Sequence, residues 1–150
     1  MTGDYAEYEA ECARIRTENE ELLAKFAAWL RAQNLKESTI KGHVTNIDFY
    51  VNDFLLYEDA IEPADGIGDI GYFLGDWFVR KAMWSNQAQI KSNAASLKKF
   101  YTFMNEQGLV SDEDLDAMKA EIKEEMPEWL ATMERYDDPN IDDMDEVWDL

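Results

Sequence analysis

The sequence is poor in residues that break or cross-link a chain. Among its 150 residues are one cysteine, three prolines, seven glycines and one histidine. A single cysteine, Cys12, excludes an internal disulfide and a zinc site built from several thiolates. No apolar run approaches the roughly 18 residues of a membrane span, and the first residues lack the basic and apolar segments of a signal peptide. We therefore predict a cytoplasmic protein with no membrane partner, no metal and no cofactor.

Positive charge is also scarce. The chain has 14 Lys and Arg against 33 Asp and Glu, a formal net charge of −19. Such a charge opposes binding to nucleic acid or to anionic membranes, which gain affinity from clustered Lys and Arg. The imbalance is uneven, because residues 31–105 carry 8 basic and 9 acidic side chains whereas residues 106–150 carry 3 and 17. The acidity therefore constrains the whole chain more than its central part.

Apolar and aromatic residues are abundant, at 46% and 13% of the chain. That is enough to fill a core, and the scarcity of Pro, Gly and alternating apolar patterns points to helices. We predict an all-α fold, a compact four- to five-helix bundle with flanking N- and C-terminal helices. The expected divisions are an N-terminal heptad helix over 1–21, a helical domain over 22–114, an acidic helix packing on it over 115–136, and an acidic, disordered tail over 137–150.

The first predicted helix carries a heptad seam, in which apolar or semi-polar residues alternate three and four apart. The seam contains Tyr5, Tyr8, Cys12, Ile15, Asn19, Leu22, Phe26 and Trp29. One interpretation is a dimerising helix, in which the interior Asn19 sets the register of a homodimer. The other is an amphipathic helix that packs its stripe on its own domain.

Two further helices follow. Ser38 or Thr39 is placed to cap the second helix, which we expect to run to about Tyr57. The stretch 58–69 contains one Pro and two Gly and is predicted to be a loop. The third helix is expected to begin at Ile70 and to end near Lys81.

Capping residues bound the last two predicted helices. Ser85 is expected to cap the fourth helix, and Gly108 closes it in the position that favours a left-handed backbone. Ser111 opens the fifth helix with acidic residues in its first turn. Pro127 lies inside that pattern and predicts a kink or a new helix start.

Several motifs that suggest chemistry fail on their context. Residues 66–71 match G-x-G-x-x-G, but no strand precedes them, so we expect a loop and a helix start. The tail has calcium-loop spacing from Asp138 to Asp149 without the central Gly and final Glu. His43 has no ligand partners at suitable spacing and is expected on the outer, solvated side of the second helix. With no catalytic motif present, we do not expect an enzyme.

The central block nevertheless has a characteristic order of residues. Phe26-Ala27-Ala28-Trp29-Leu30 is followed by the polar turn and helix start over 34–40, then by Asn46 and the apolar positions of 49–55. The second half has Gln89-Ile90-Lys91-Ser92 running into Ala95–Met104, closed by Gly108-Leu109-Val110. From Leu22 to Asp114 this order resembles the SAM-like core-binding domain of the phage integrase, or tyrosine recombinase, family, standing alone without the catalytic domain.

The resemblance implies a small helical bundle that grips one side of a DNA duplex. By position it places DNA contacts at the start of the second helix and along the fourth, and nearby basic residues extend this set. The expected DNA-binding residues are Thr39, Lys41, Arg80, Lys81, Asn86, Gln89, Lys91, Lys98 and Lys99. The family's His-x-x-Arg box and nucleophilic Tyr have no counterpart in this sequence. The expected function is thus a non-catalytic DNA-binding module associated with DNA recombination or integration, binding duplex weakly and in a salt-sensitive manner.

The acidic C-terminal part supports a second hypothesis. In it the chain is a protein interaction or regulatory module, whose acidic end docks on a basic partner protein or mimics DNA.

Overall fold

Helices form all the regular structure in the part of the chain that the computed structural model describes, residues 2–81 and 86–137, with the side chains of 4–81 and 86–135. The helices are α1 (Thr2–Ala32), α2 (Glu37–Asp48), α3 (Ile70–Tyr72), α4 (Phe78–Lys81), α5 (Gln87–Glu106) and α6 (Asp112–Asp137). Two π-helical segments, Phe49–Phe54 and Phe73–Trp77, and a 3₁₀ turn, Asp65–Asp69, complete them. The all-α prediction is confirmed. Ser85 and residues 138–150 of the tail predicted over 137–150, with their calcium-like spacing, lie outside the described residues, and Asp137 is the last residue of α6.

The helix ends confirm two capping predictions and correct two. At the start of α6 the Ser111 hydroxyl oxygen accepts a hydrogen bond from the Asp114 amide at 3.1 Å, as expected of a cap. Gly108 follows α5 with φ +77°, the left-handed conformation that glycine favours. The Ser38 or Thr39 cap is wrong, because α2 begins at Glu37, directly after an extended Lys36 that makes no side-chain capping bond. The cap of α5 is Asn86, one residue beyond the predicted Ser85, and its side chain accepts a hydrogen bond from the Gln89 amide at 2.8 Å.

Of the other predictions about helices and loops, some are confirmed and others are corrected. Helical structure runs from Ile70 to Lys81 as expected, although its middle is π-helical. The loop over 58–69 contains a 3₁₀ turn that leads directly into α3. Of the two alternatives predicted at Pro127, a kink or a new helix start, the new start is wrong, because α6 continues through this residue. A proline costs the helix a backbone hydrogen bond, and the burial of Trp129 and Met133 beyond it offsets that loss.

The core lies where α1, α2 and α5 meet, and α6 covers it. Phe26 of α1 contacts Phe100 of α5 edge to face, with ring centroids 5.3 Å apart. Ile47 of α2 is fully buried in the same cluster. The buried residues that α6 contributes are Leu115, Met118, Ile122, Trp129 and Met133. Thus α6 is part of the core although it is acidic. In the described residues no helix is both long and apolar enough to cross a membrane.

Most of the α1 seam is buried against its own chain. Cys12 and Ile15 pack with Leu56 in a small cluster separate from the main core. Asn19 is 1% exposed and donates its side-chain amide to the Asn52 side-chain oxygen at 2.8 Å. These contacts are those of an amphipathic helix packed on its own domain. A homodimer through this helix stays a prediction, with Tyr5 the most exposed seam residue at 64%.

Two buried tyrosines fix the loop over 58–69 to the core. The Tyr50 hydroxyl donates to the Gly66 carbonyl at 2.6 Å, and the Tyr101 hydroxyl donates to the Pro63 carbonyl at 2.7 Å. A buried hydroxyl needs such a partner, so both side chains hold the loop at a defined place.

Candidate nucleic-acid interface

The helix α5 is basic although the chain as a whole is acidic. Between Gln87 and Asn105 it carries three lysines and no Asp or Glu. The neighbouring stretch of α2 from Ser38 to Ile47 has one lysine, His43 and no acidic residue. In a chain with 33 acidic side chains, these two packed stretches offer an anionic ligand a surface without acidic side chains of their own.

The three lysines of α5 share its outward side. Lys91 and Lys98 are seven residues apart, two turns along one stripe, and both are exposed. Lys99 is half-buried at the edge nearer α2. The other positions on this side of the helix carry small side chains, Ala88, Ser92, Ala95 and Thr102. We call this surface the α5 lysine face, and its small residues let a nucleic-acid backbone approach the helix closely.

A polar network joins α2 to the edge of this face. The His43 Nδ1 lies 2.7 Å from the Ser96 Oγ. Asn46 donates its side-chain amide to Ser96 at 2.9 Å and to Ser92 at 3.0 Å. Since the order along α2 is opposite to that along α5, the helices are antiparallel. The start of α2 therefore lies beside the second half of α5.

The same network corrects the prediction for His43. Its side chain is half-buried and faces α5, not the solvated outer side of α2. Burial lowers the pKa of His43, and the positive charge of Lys99 lowers it further. The imidazole is thereby held in its neutral form near neutral pH.

Thr39 and Lys41, the two residues of α2 expected to bind DNA, lie on different sides of the helix. Thr39 is exposed in the first turn, where Lys36 supplies no side-chain cap to the free backbone amides. Such amides are natural phosphate contacts. Lys41 is also exposed. Because it precedes His43 by two residues, it lies on nearly the opposite side of α2. Thr39 therefore adjoins the α5 lysine face, and Lys41 does not.

Arg80 and Lys81 have partners elsewhere. Arg80 forms an ion pair with Asp76 at 3.0 Å and a hydrogen bond to the Tyr72 hydroxyl at 3.2 Å. The Lys81 ammonium lies 5.5 Å from the centroid of the Tyr57 ring. These contacts direct both cations toward an aromatic cleft formed by the loop and the π-helical segments.

Asn86 and Gln89 are the two residues with amide side chains that the sequence predicts to lie near DNA. Asn86 uses its side-chain oxygen to cap α5. Gln89 is half-buried, and its backbone carbonyl, not its side chain, accepts a hydrogen bond from the Asn93 side chain at 2.8 Å. Reading a base edge takes an amide side chain with both of its polar groups available, so Asn86 is poorly placed for that role.

The acidic helix α6 borders the α5 lysine face. At one end the Asn105 amide donates to the Asp112 carboxylate at 2.8 Å, and at the other Gln87 donates to the Leu130 carbonyl at 3.0 Å. These two contacts make α6 antiparallel to α5. Among the side chains of α6 that the structure describes, the exposed acidic ones are Asp112, Glu113, Asp114, Asp116, Glu124, Glu125, Glu128 and Glu134. A polyanion on α5 therefore meets negative charge along one flank.

The sequence reading missed the interhelical role of Ser92 and Ser96. They are four residues apart beside the apolar stripe of α5, a spacing that places two small polar groups on one helix edge. That spacing was the available signal, but their partners on α2 depend on the packing. In the described residues no three His, Cys, Asp or Glu side chains are grouped so as to hold a metal ion.

Comparison of the chain with protein-family models, with curated proteins and with solved structures finds no match. The assignment of the surface above therefore depends on its own geometry and charge.

Proposed function

We propose that the chain is a non-catalytic DNA-binding module, which holds the phosphate backbone of duplex DNA on the α5 lysine face and the start of α2. The observation that carries the proposal is the charge of α5, whose residues 87–105 include Lys91, Lys98 and Lys99 and no acidic side chain. The resemblance to integrase core-binding domains supports the same two helices and suggests a role in recombination or integration.

The geometry favours binding that is weak and depends little on base sequence. Flexible lysines and helix-terminal amides contact phosphates, which position a protein on DNA without specifying sequence. Three phosphate contacts give a slope of about −3 for the logarithm of the binding constant against that of salt concentration. The acidic flank of α6 weakens the binding further.

The proposal is tested by titrating the full chain with a fluorescent mixed-sequence duplex at several salt concentrations. The double variant Lys91→Gln, Lys98→Gln should weaken binding at low salt and reduce the salt slope by about 2. Its matched control is Lys119→Gln, Lys123→Gln, which removes the same charge from exposed positions on α6. This control should keep the slope of the unaltered chain.

The full chain is needed because α6 belongs to the core. A chain ending near Asn105 lacks the five buried side chains of α6 and exposes the apolar surface they cover. No binding by the full chain at low salt contradicts the proposal. So does an equal loss of affinity in both double variants.

One observation favours the alternative function, binding of a basic protein. The solvent side of α6 carries eight exposed acidic side chains on a helix that its buried side fixes to the core. A surface rich in carboxylates is complementary to a surface rich in Lys and Arg on a partner. Variants of this helix separate the two functions, as described in the Discussion.

A further inference from the structure

Away from α5, a cleft opens between the loop over 58–69 and the helical run from Ile70 to Lys81. It encloses about 170 Å³. Its aromatic walls are Phe54, Tyr57, Tyr72 and Trp77. Pockets for drug-sized ligands begin at roughly 300 Å³, so this cleft suits a small headgroup.

The aromatic walls meet at steep angles. The Trp77 ring lies at 67° to Phe54 and at 70° to Tyr57, with centroids 5.1 and 5.8 Å away. Phe54 also packs with Tyr72, at 36° and 6.0 Å. The faces of aromatic rings carry negative charge, so a cleft lined by several rings favours a cation over a neutral molecule wherever those faces are accessible.

Both π-helical segments contribute a wall. Phe54 ends the first segment and Trp77 ends the second. π-Helical turns are rare and occur frequently at functional sites, because the extra residue in the turn shifts a side chain out of the regular helical register.

Carboxylates lie among the aromatic walls. Glu58, Asp59 and Asp69 line the same cleft. Asp69 is half-buried, and burial raises its pKa, so its charged form lacks full solvation. A cation in the cleft offsets that cost by pairing with the carboxylate.

At the rim of the cleft a cation already contacts one of the aromatic walls. The Lys81 ammonium lies 5.5 Å from the centroid of the Tyr57 ring, so this ring accepts a cation within the chain itself.

We propose that this cleft binds a small alkylammonium cation, held by the faces of Tyr57, Tyr72 and Trp77 and neutralised by Asp69 and its neighbouring carboxylates. The ligand is a quaternary or methylated ammonium headgroup. Lys81 is a competitor at the rim, because its own ammonium occupies the outer ring and repels a second cation.

The test follows the indole N–H signals of the full chain by NMR during titration with tetramethylammonium chloride and with choline chloride. Sodium chloride at equal ionic strength corrects for general salt effects. The neutral probe is 3,3-dimethylbutan-1-ol, which replaces the nitrogen of choline by carbon at nearly the same shape. We expect both cations to shift the Trp77 indole signal, and the neutral alcohol to bind at least roughly fivefold more weakly.

Variants of exposed residues avoid loss of folding. Tyr57 and Tyr72 are 54% and 51% exposed, and replacing either by Ala should weaken cation binding roughly threefold to tenfold. Tyr5→Ala is the matched control, since Tyr5 is 64% exposed at the far end of α1. Lys81→Gln should strengthen binding by removing the competing charge.

Three results overturn the proposal. The first is equal affinity for choline and the neutral alcohol, which would mean that the cleft is merely apolar. The second is an equal change in cation affinity from Tyr5→Ala and from the cleft variants. The third is the absence of any shift of the Trp77 indole signal with either cation.

Discussion

His43 shows how one side chain acquires a role from its neighbours. Ser96 accepts a hydrogen bond from Asn46, which leaves the serine O–H able to donate to the His43 Nδ1 2.7 Å away. The neutral imidazole suits this position, because burial and Lys99 both disfavour its charged form. Protonation of His43 therefore opposes the packing of α2 on α5.

We predict that His43 makes folding sensitive to mild acid. Its pKa in the folded chain lies below the ordinary 6.5, so the unfolded chain binds the proton first as the pH falls. The stability contribution is complete above about pH 6.5 and decreases as the pH falls from there toward the lowered pKa. The chain has one histidine, so its imidazole signal in an NMR titration reports this pKa directly.

The matched variant is His43→Gln, which has no titrating group at this position. The difference in unfolding free energy between the unaltered chain and this variant should shrink as the pH falls from 7 to 5. An imidazole midpoint at or above 6.5, or a difference that is constant with pH, contradicts the assignment.

At the scale of elements, the docking of α6 depends on a close contact with the second π-helical segment. A Cβ placed on Gly75 would lie 2.8 Å from the Trp129 ring, nearer than side chains approach in folded proteins. Trp129 is 5% exposed and lies beyond Pro127, in the half of α6 that the proline could have detached. The missing side chain at Gly75 is what lets this half of α6 reach the core.

We predict that Gly75→Ala destabilises the chain by about 1–3 kcal/mol, the usual cost of overpacking, because the rigid indole must move. The measurement is the unfolding free energy from urea titration, followed by tryptophan fluorescence and by circular dichroism.

The control for this substitution is Gly42→Ala in α2. A Cβ on Gly42 meets nothing within 4 Å, so alanine there adds only helix propensity and should stabilise by about 0.5–1 kcal/mol. If both substitutions change stability in the same direction, the contact with Trp129 does not limit the docking of α6.

At the scale of the whole molecule, charge is separated by helix. The α5 lysine face has no acidic residue, and α6 beside it exposes eight. Fields of opposite sign on adjacent surfaces partly cancel for a long polyanion, and salt screens them over about 10 Å at 0.1 M. The net affinity for DNA is therefore set by both helices together.

We predict that one α6 variant separates the two proposed functions, because it changes the affinity for duplex DNA and for a basic peptide in opposite directions. Glu124→Gln, Glu125→Gln, Glu128→Gln should tighten binding of duplex DNA several-fold at low salt, because it removes repulsion beside Lys91. If the chain instead acts through its acidic helix, the same variant weakens binding of a polylysine peptide and leaves DNA binding undetectable.

The control makes the same change in net charge at the far end of α1. Asp4→Asn, Glu7→Gln, Glu9→Gln alters exposed residues near the start of a helix about 46 Å long. An equal gain in DNA affinity from both triple variants would mean that net charge causes the effect and that the position of α6 beside α5 does not.

Local signals predicted the regular elements well. Apolar spacing predicted helical structure from Ile70 to Lys81, and Gly108 marked the end of α5. The π-helical segments were not predicted, because the spacing of apolar residues does not show where a helical turn contains an extra residue. The cap of α2 was also missed, since the helix begins without any side-chain cap.

The sequence predicted the residues of the candidate surfaces less well than it predicted the helices. The lysines of α5 were expected as a group, since residues seven apart share a helix side. The separation of Arg80 and Lys81 from them was not expected. Arg80 pairs with Asp76 four residues earlier on the same helical run, a local spacing that the sequence already contains, whereas Tyr57 is brought near Lys81 by tertiary contacts.

The sequence by itself determined that this chain is helical, where most of its helices lie and that its excess acidity belongs to its C-terminal third, because periodicity, turn residues and charge are properties of neighbouring positions. Only the tertiary structure decided that α1 buries its seam on its own chain, that His43 faces Ser96, and that the aromatic rings of two π-helical segments enclose a cleft. Those contacts join residues far apart in the chain, and the packing of whole helices selects them.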